Sequence, residues 1–350
     1  MKVAILPWGD VFETYLETIS TSIDTFATEM EGGWLFGYVD ALATAGANSI
    51  VVVASRDADT PRKIRNARTG CTTIVLPSPT SYRLAKRLPA ALADRIAPYA
   101  ALPMAPLARI LREERCTHVM MQEYEDARFD RLVPLAKSLG ISVTASFQGG
   151  QTAPSTIAGR MLRRRSIRAS DGLIIASSAE AARVTKHYGA DLRVATIFNP
   201  VDSRTWYPEE RRAMRATLQI PDNARVAVCH CRIDIHRKGI DILLDAWREL
   251  VRREPGMDLR LHLIGDGQDR GRLQDELDRA PVKGLRWFDK FNQDRADMRR
   301  HLSAADLHVQ ASRHEGFAVA PLEAMACGLP TVLSRAPGAS DLLNNGEDSG

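Results

Sequence analysis

At 350 residues, with 45% hydrophobic and 6% aromatic side chains, the chain is long for a single core, and two ordinary α/β domains are expected. Five scattered cysteines (Cys71, Cys116, Cys229, Cys231 and Cys327) are odd in number and exclude a disulfide framework. The net charge of +4 comes without interleaved aromatics or a recognisable nucleic-acid module, and no apolar run approaches the ~20 residues of a membrane span, so nucleic acid and a spanning segment are both excluded.

Met1-Lys2-Val3-Ala4-Ile5-Leu6 runs directly into a first strand and leaves no room for a signal peptide, so a cytoplasmic protein is expected. Short apolar runs rich in β-branched residues follow at 50–54, 73–76, 119–122, 142–146, 172–176 and 195–198, separated by room for helices at 37–44, 128–139 and 179–187. Unalternating strands between helices predict a buried parallel βαβ sheet. The long segment from Trp8 to Met30 reads as a loop, and Glu31-Gly32-Gly33-Trp34 places paired glycines before a helix, which permits close approach of backbone to phosphate. Asp57-Ala58-Asp59 reads as a turn.

Near 200–208 the pattern restarts. Strands are predicted at 224–229, 260–264, 285–288, 307–310 and 331–333, with helices at 240–253, 270–279, 297–304 and 321–327. The domains are therefore 1–200 and 201–350, both doubly wound. Ligands in such folds sit beyond the carboxyl ends of strands, which is where Cys231 to Gly239, Gly265-Asp266-Gly267 and Ser312 to Val319 fall. Residues 1–200 hold 24 Lys+Arg against 19 Asp+Glu, whereas the remainder holds 23 against 24. The basic excess includes Arg83, Lys86 and Arg87, and a helix carrying Arg160, Arg163, Arg164, Arg165 and Arg168. Such clusters are either solvated faces or surfaces for an acidic or membrane-bound acceptor.

In the second half, Glu315 and Glu323 stand eight positions apart, with Pro321 in a first helical turn. That spacing lets both carboxylates face one ligand, and the backbone N–H groups of Gly316, Phe317, Ala318 and Val319 fall at a helix start, where phosphate binds. Arg232 and Lys238 offer fixed cations to a leaving phosphate, Arg in a two-point grip and Lys as a point charge.

Ser312-Arg-His-Glu-Gly-Phe-Ala-Val-Ala-Pro-Leu-Glu-Ala-Met-Ala-Cys-Gly-Leu-Pro330 closely resembles the signature of retaining glycosyltransferases of family 4, of GT-B architecture: two facing Rossmann-like domains with an interdomain cleft. Arg232, Lys238 and Gly239 match that family's Gly-Arg-x-x-x-x-x-Lys-Gly element, with Cys231 in place of its first glycine. The resemblance implies a first domain on the acceptor side and a second that binds the nucleotide sugar. It assigns Arg232 and Lys238 to the donor diphosphate and Glu315 to donor-sugar hydroxyls. Amides 316–319 would meet sugar and phosphate, Glu323 the ribose, and Gly33 the donor phosphates. It also implies retention by front-face attack, with the leaving phosphate taking the acceptor's proton.

Gln122 and Gln148 stand where relatives often have histidine, and Glu123 is an acceptor-side carboxylate candidate beside them. Neutral amides hydrogen-bond sugar hydroxyls but take no proton. Asp289 takes the place of a glycine near the base, at the end of Arg286-Trp287-Phe288-Asp289-Lys290-Phe291. Relatives continue past the segment that here runs from Asp341 to Gly350, ending in a helix that crosses back to the first domain. The expected activity is a metal-independent hexosyl transfer from a nucleoside diphosphate sugar to a saccharide or lipid-linked acceptor, in polysaccharide or glycolipid synthesis. The expected place is the cytoplasm, with peripheral contact at the inner membrane face through the basic first half. The alternative is a catalytically weak sugar-nucleotide-binding protein of the same fold.

Overall fold

The computed structural model describes residues 1–19, 21–30, 33–150, 156–289 and 294–342. Glu31, Gly32, Lys290, Phe291 and the segment 343–350, all named above, lie outside the described residues. The chain divides into two compact units, one of Met1–Glu17 with Thr21–Pro200 and one of Thr18–Ser20 with Val201–Gly350.

The first unit is built on β1 (Lys2–Leu6), β2 (Asn48–Ser55), β3 (Arg62–Arg65), β4 (Thr72–Pro77), β5 (His118–Gln122), β6 (Ser142–Ser146), β7 (Gly172–Ile174) and β8 (Val194–Ala195). They lie in the order β3-β4-β2-β1-β5-β6-β7-β8. Ile50, Val51, Val52 and Val53 are all buried, which is why β2 shows no polar alternation. Neighbours run parallel except β3 with β4. β3 was not expected. Its Arg-Lys-Ile-Arg sequence has no apolar run, and Arg62 and Lys63 pair with Asp24 at 2.7 Å and Glu114 at 2.5 Å. Charge of this kind suits an edge strand, since it discourages pairing with another chain.

Further bounds differ from expectation, among them the strand expected at 172–176, which ends at Ile174, and the helix expected from 297, which begins at Arg295. The segment from Trp8 to Met30 is not a bare loop: it holds helices Glu13–Glu17 and Ile23–Glu29, the second capped by Ser22. Its aromatics pack edge to face, with Phe12 4.9 Å from Phe26 and Tyr15 5.3 Å from Trp34 between ring centroids. The strand expected at 195–198 ends at Ala195, because Ile197 and Phe198 are exposed at the sheet's margin. The helix expected from Gly37 already begins at Gly33.

The second unit carries β9 (Arg225–His230), β10 (Leu259–Ile264), β11 (Leu285–Phe288), β12 (Leu307–Gln310) and β13 (Thr331–Leu333), all parallel, in the order β11-β10-β9-β12-β13. Strand alternation splits β9 between two cores. Val226 and Val228 pack with Ile264, Leu302 and Ala324, whereas Ala227 and Cys229 pack with Leu244, Trp247 and Leu263. The strand order reverses between β1 and β5 in the first unit and between β9 and β12 in the second, so each sheet opens a crevice beyond those carboxyl ends. Among the described residues no helix is long and apolar enough to cross a membrane.

Candidate functional site

The reversal point of the second sheet gathers the residues singled out in the sequence. After β9 the chain passes Cys231 and Arg232 into the short helix Ile235–Lys238, which Asp234 caps by accepting the Arg237 N–H at 3.1 Å. Gly239 ends it at φ +63°, and a Cβ there would run into the Ala311 carbonyl. Only glycine combines that left-handed turn with that approach. The turn fixes Lys238 beside the loop that follows β12.

There Lys238 Nζ reaches Glu315 Oε1 at 2.7 Å and Oε2 at 2.9 Å. Glu315 is 5% exposed, and its Oε1 also accepts from Ser312 Oγ at 2.6 Å and Gln310 Nε2 at 2.7 Å. Burial alone would raise its pKa, yet the charge and hydrogen bonds of Lys238 and then the Ser312 hydroxyl hold it below the ordinary carboxylate range. A buried anion thus stays charged beside a cation that an incoming phosphate can also bind.

Glu323 lies on the helix Val319–Ala326, two residues longer at its start than the pattern predicted. Its oxygens meet His230 Nε2, at the end of β9, and an Arg295 guanidinium nitrogen, each at 3.1 Å. The His308 ring lies 5.2 Å from that of His230 between centroids. Burial holds His308 neutral, well below its usual range. The two carboxylates are therefore separately dressed, Glu315 by a lysine and Glu323 by an arginine and a histidine. Of the four expected amides, that of Ala318 donates to Gly338 O at 3.4 Å, and Glu315 N donates to Pro337 O at 3.1 Å. Residues 337–338 thereby brace the loop, a contact from beyond the motif.

Gly265-Asp266-Gly267 packs under the same crevice. Asp266 O accepts the Ile233 N–H at 3.0 Å, and Asp269 accepts that of Ile235 at 2.9 Å. The turn supports the segment that carries Arg232. Asp289 is ion-paired with Arg270.

In the first unit Gln122 is fully buried and donates from Nε2 to Trp34 O at 2.8 Å, while Gln148 Nε2 donates to Ser146 Oγ at 3.1 Å. Glu123 has φ +125°. Its carboxylate accepts the backbone N–H groups of Glu125 at 3.0 Å, Gln148 at 3.1 Å and Gly150 at 2.7 Å. Both oxygens are thus engaged in tying the 148–150 turn to the end of β5. Burial, only partly offset by those donors, pushes its pKa up to about 7. Gly33 opens the helix Gly33–Thr44 at φ +60°. Of the basic helix Ile157–Ala169, Arg163 is not a surface charge: it is buried against Asp130 at 2.9 Å. Arg160, Arg164, Arg165 and Arg168 are exposed.

The sequence reading missed His230, Arg295, Gln310 and Ser312. Ser312 stood inside the recognised stretch and was given no task. The other three come from different elements whose local pattern says nothing of the meeting point.

Two doubly wound Rossmann-like units in one chain define the GT-B fold class. Solved structures with that fold include the sucrose-phosphate synthase of Thermosynechococcus elongatus, with TM-score 0.71 and 18% identity over 97% of this chain and 82% of that one. Anabaena HepE in complex with UDP and glucose gives TM-score 0.67 and 17% identity over 98% and 83%. Residues 224–350 match the family model for Glycosyl transferases group 1. Similar curated proteins include D-inositol 3-phosphate glycosyltransferase of Rhodococcus opacus, 28% identical over 62% of this chain and 49% of its own length. The D-inositol 3-phosphate glycosyltransferase 2 of Catenulispora acidiphila is 34% identical over 51% and 43%. The chain spans about half the length of the curated relatives it matches.

Proposed function

We propose that this chain is a retaining, metal-independent glycosyltransferase that moves a hexosyl unit from a nucleoside diphosphate sugar to an acceptor hydroxyl. The observation that carries the reading is the Lys238–Glu315 pair at 2.7 Å, with Lys238 on the segment that also carries Arg232, at the strand-order reversal of the region matched by the glycosyltransferase family model. The relatives support the class: one is a D-inositol 3-phosphate glycosyltransferase, and a fold neighbour is in complex with UDP and glucose.

In this reading the donor diphosphate draws on Arg232 and Lys238, whose charge counts most as the leaving phosphate gains negative charge. Release of Lys238 toward phosphate frees Glu315 to accept donor-sugar hydroxyls. Its ionised state suits that role, because a carboxylate only accepts. Glu323 accepts ribose hydroxyls, and Arg295 and His230 orient it. With the Ala318 N–H already given to Gly338 O, the backbone of Gly316 and the start of the helix Val319–Ala326 add positive field to sugar and phosphate. With these cations supplied by the protein, no divalent ion is called for. The leaving phosphate takes the acceptor's proton, so Gln122 and Gln148 need not act as bases.

The basic first unit is the acceptor side. Its helix Ile157–Ala169 exposes Ile157 at 70% and Met161 at 69%, among Arg160, Arg164 and Arg165. Apolar side chains set among cations fit an anionic, lipid-bearing acceptor and peripheral contact at the inner membrane face, in polysaccharide or glycolipid synthesis. A second reading, sugar-nucleotide binding with weak catalysis, is favoured by one observation: the carboxylate nearest Gln122 and Gln148, that of Glu123, is already engaged by backbone donors. The test is nucleoside diphosphate release and glycosyl transfer by purified protein in EDTA. Activity that survives Lys238→Ala and Glu315→Ala would refute the assignment, and tight donor binding with neither release nor transfer would select the second reading.

A further inference from the structure

Cys231 departs from the glycine expected after β9, and the donor reading leaves it without a task. Cys229 and Cys231 stand two positions apart on a strand end, so their side chains share a face. Their Sγ atoms are 3.9 Å apart. Cys229 is 2% exposed, packed with Ile233 and Leu261, whereas Cys231 is partly exposed as a residue with its thiol turned inward, so that only a small oxidant reaches it. All five cysteines are free. The other three are buried apart from one another, and burial raises the thiols of Cys71, Cys116 and Cys327 to about 11, which makes them poor nucleophiles. Cys231 shifts the other way. The hydrogen bond from Cys229 and the charges of Lys238 and Arg232 lower its pKa, against burial and Glu315.

We propose that Cys229 and Cys231 form a peroxide-oxidisable dithiol, with Cys231 as the attacking sulfur and Cys229 as the resolving one. The Cys231 thiolate attacks one oxygen of hydrogen peroxide; the O–O bond breaks, sulfur takes the hydroxyl to give a sulfenic acid, and hydroxide leaves and is protonated to water. The Cys229 sulfur then attacks the sulfenic sulfur, forming the S–S bond, and its proton leaves with the hydroxyl as a second water. A small-molecule dithiol reverses the step. Two extended residues span about 6.6 Å between Cα atoms, near the upper limit of about 6.8 Å for a disulfide. Closure therefore draws in the strand end, and Arg232 moves with it. The consequence for the donor, which rests on the proposed function, is weaker nucleotide binding in the oxidised form.

Limited hydrogen peroxide followed by alkylation and mass spectrometry of the full chain tests this. The peptide 226–232, which carries both cysteines, is expected to lose two hydrogens before Cys71, Cys116 or Cys327 loses reactivity, and dithiothreitol should restore it. Cys229→Ser should stop at a dimedone-trapped sulfenic acid on Cys231, and Cys231→Ser should leave Cys229 reduced. Oxidation of the other three cysteines first, or no change in peptide 226–232, overturns the proposal. Calorimetry with UDP and GDP then compares the two redox forms, with a loss of about tenfold or more expected on oxidation. If the disulfide forms but even the reduced chain binds neither nucleotide, the donor reading fails and the dithiol stands.

Discussion

Glu315 and Lys238 each need the other when no donor is present. Lys238→Ala would leave a buried carboxylate without its cation, a change that costs about 3–5 kcal/mol and is readable by urea unfolding. Lys238→Met with Glu315→Gln removes both charges and should recover much of that loss, while donor turnover stays abolished. Since the folded pKa of Glu315 lies below its ordinary value, its contribution is full above the unfolded pKa. It is lost as pH falls through the folded one. Glu123 has the opposite sign. Its folded pKa of about 7 lies above the ordinary carboxylate value, so the folded state holds its proton more tightly and stability declines as pH rises from the unfolded pKa to about 7. Glu123→Gln should flatten that part of the stability profile, even though its amide meets backbone N–H groups and lowers overall stability. An unchanged slope would mean that Glu123 is not the titrating group. Lys238 and Glu315 were legible in the sequence because each sits in a short pattern. The work of Glu123 was not, because the N–H donors that occupy it belong to main chain and leave no trace in residue type.

At the scale of elements, the parallel strands were readable because each is a short, unbroken apolar run buried on both faces, as Ile50–Val53 illustrates. β3 escaped notice because an edge strand is chosen for charge. The two helices between Trp8 and Met30 escaped because each is held by tertiary aromatic contacts rather than by a periodic face. The turn at Gly239 was visible as Lys-Gly, yet its reason lies in the Ala311 carbonyl of a distant loop. Gly239→Ala must leave a left-handed conformation and push that carbonyl away, so a loss of more than about 1 kcal/mol is expected. Donor affinity should fall alongside, as Lys238 loses its placement. Native-like affinity for UDP or GDP sugars in this variant would contradict the role given to the turn.

Across the whole molecule, charge is unevenly shared between the two units, with the basic excess confined to residues 1–200. Four arginines of the helix Ile157–Ala169 remain exposed once Arg163 is buried against Asp130. Arg160, Arg164 and Arg165 replaced together by Glu should abolish cosedimentation with vesicles rich in phosphatidylglycerol, and raised salt should weaken the parent protein in the same assay. Equal binding of the two proteins would remove the membrane from the account. Legible at this scale was the pair of doubly wound sheets. What brings Lys238 to Glu315, and His230 and Arg295 to Glu323, was not, because β9, β12 and the helices beside them meet only after the strand order reverses.

The central claim is that Arg232 and Lys238 supply the charge for breaking a nucleoside diphosphate sugar. Its most direct measurement is release of nucleoside diphosphate from a panel of UDP, GDP and ADP sugars, in EDTA, by the parent chain and by Arg232→Ala and Lys238→Ala. The account predicts release from at least one donor and a loss of about 100-fold or more in each variant. No release from any donor, or release that persists in both variants, would contradict it.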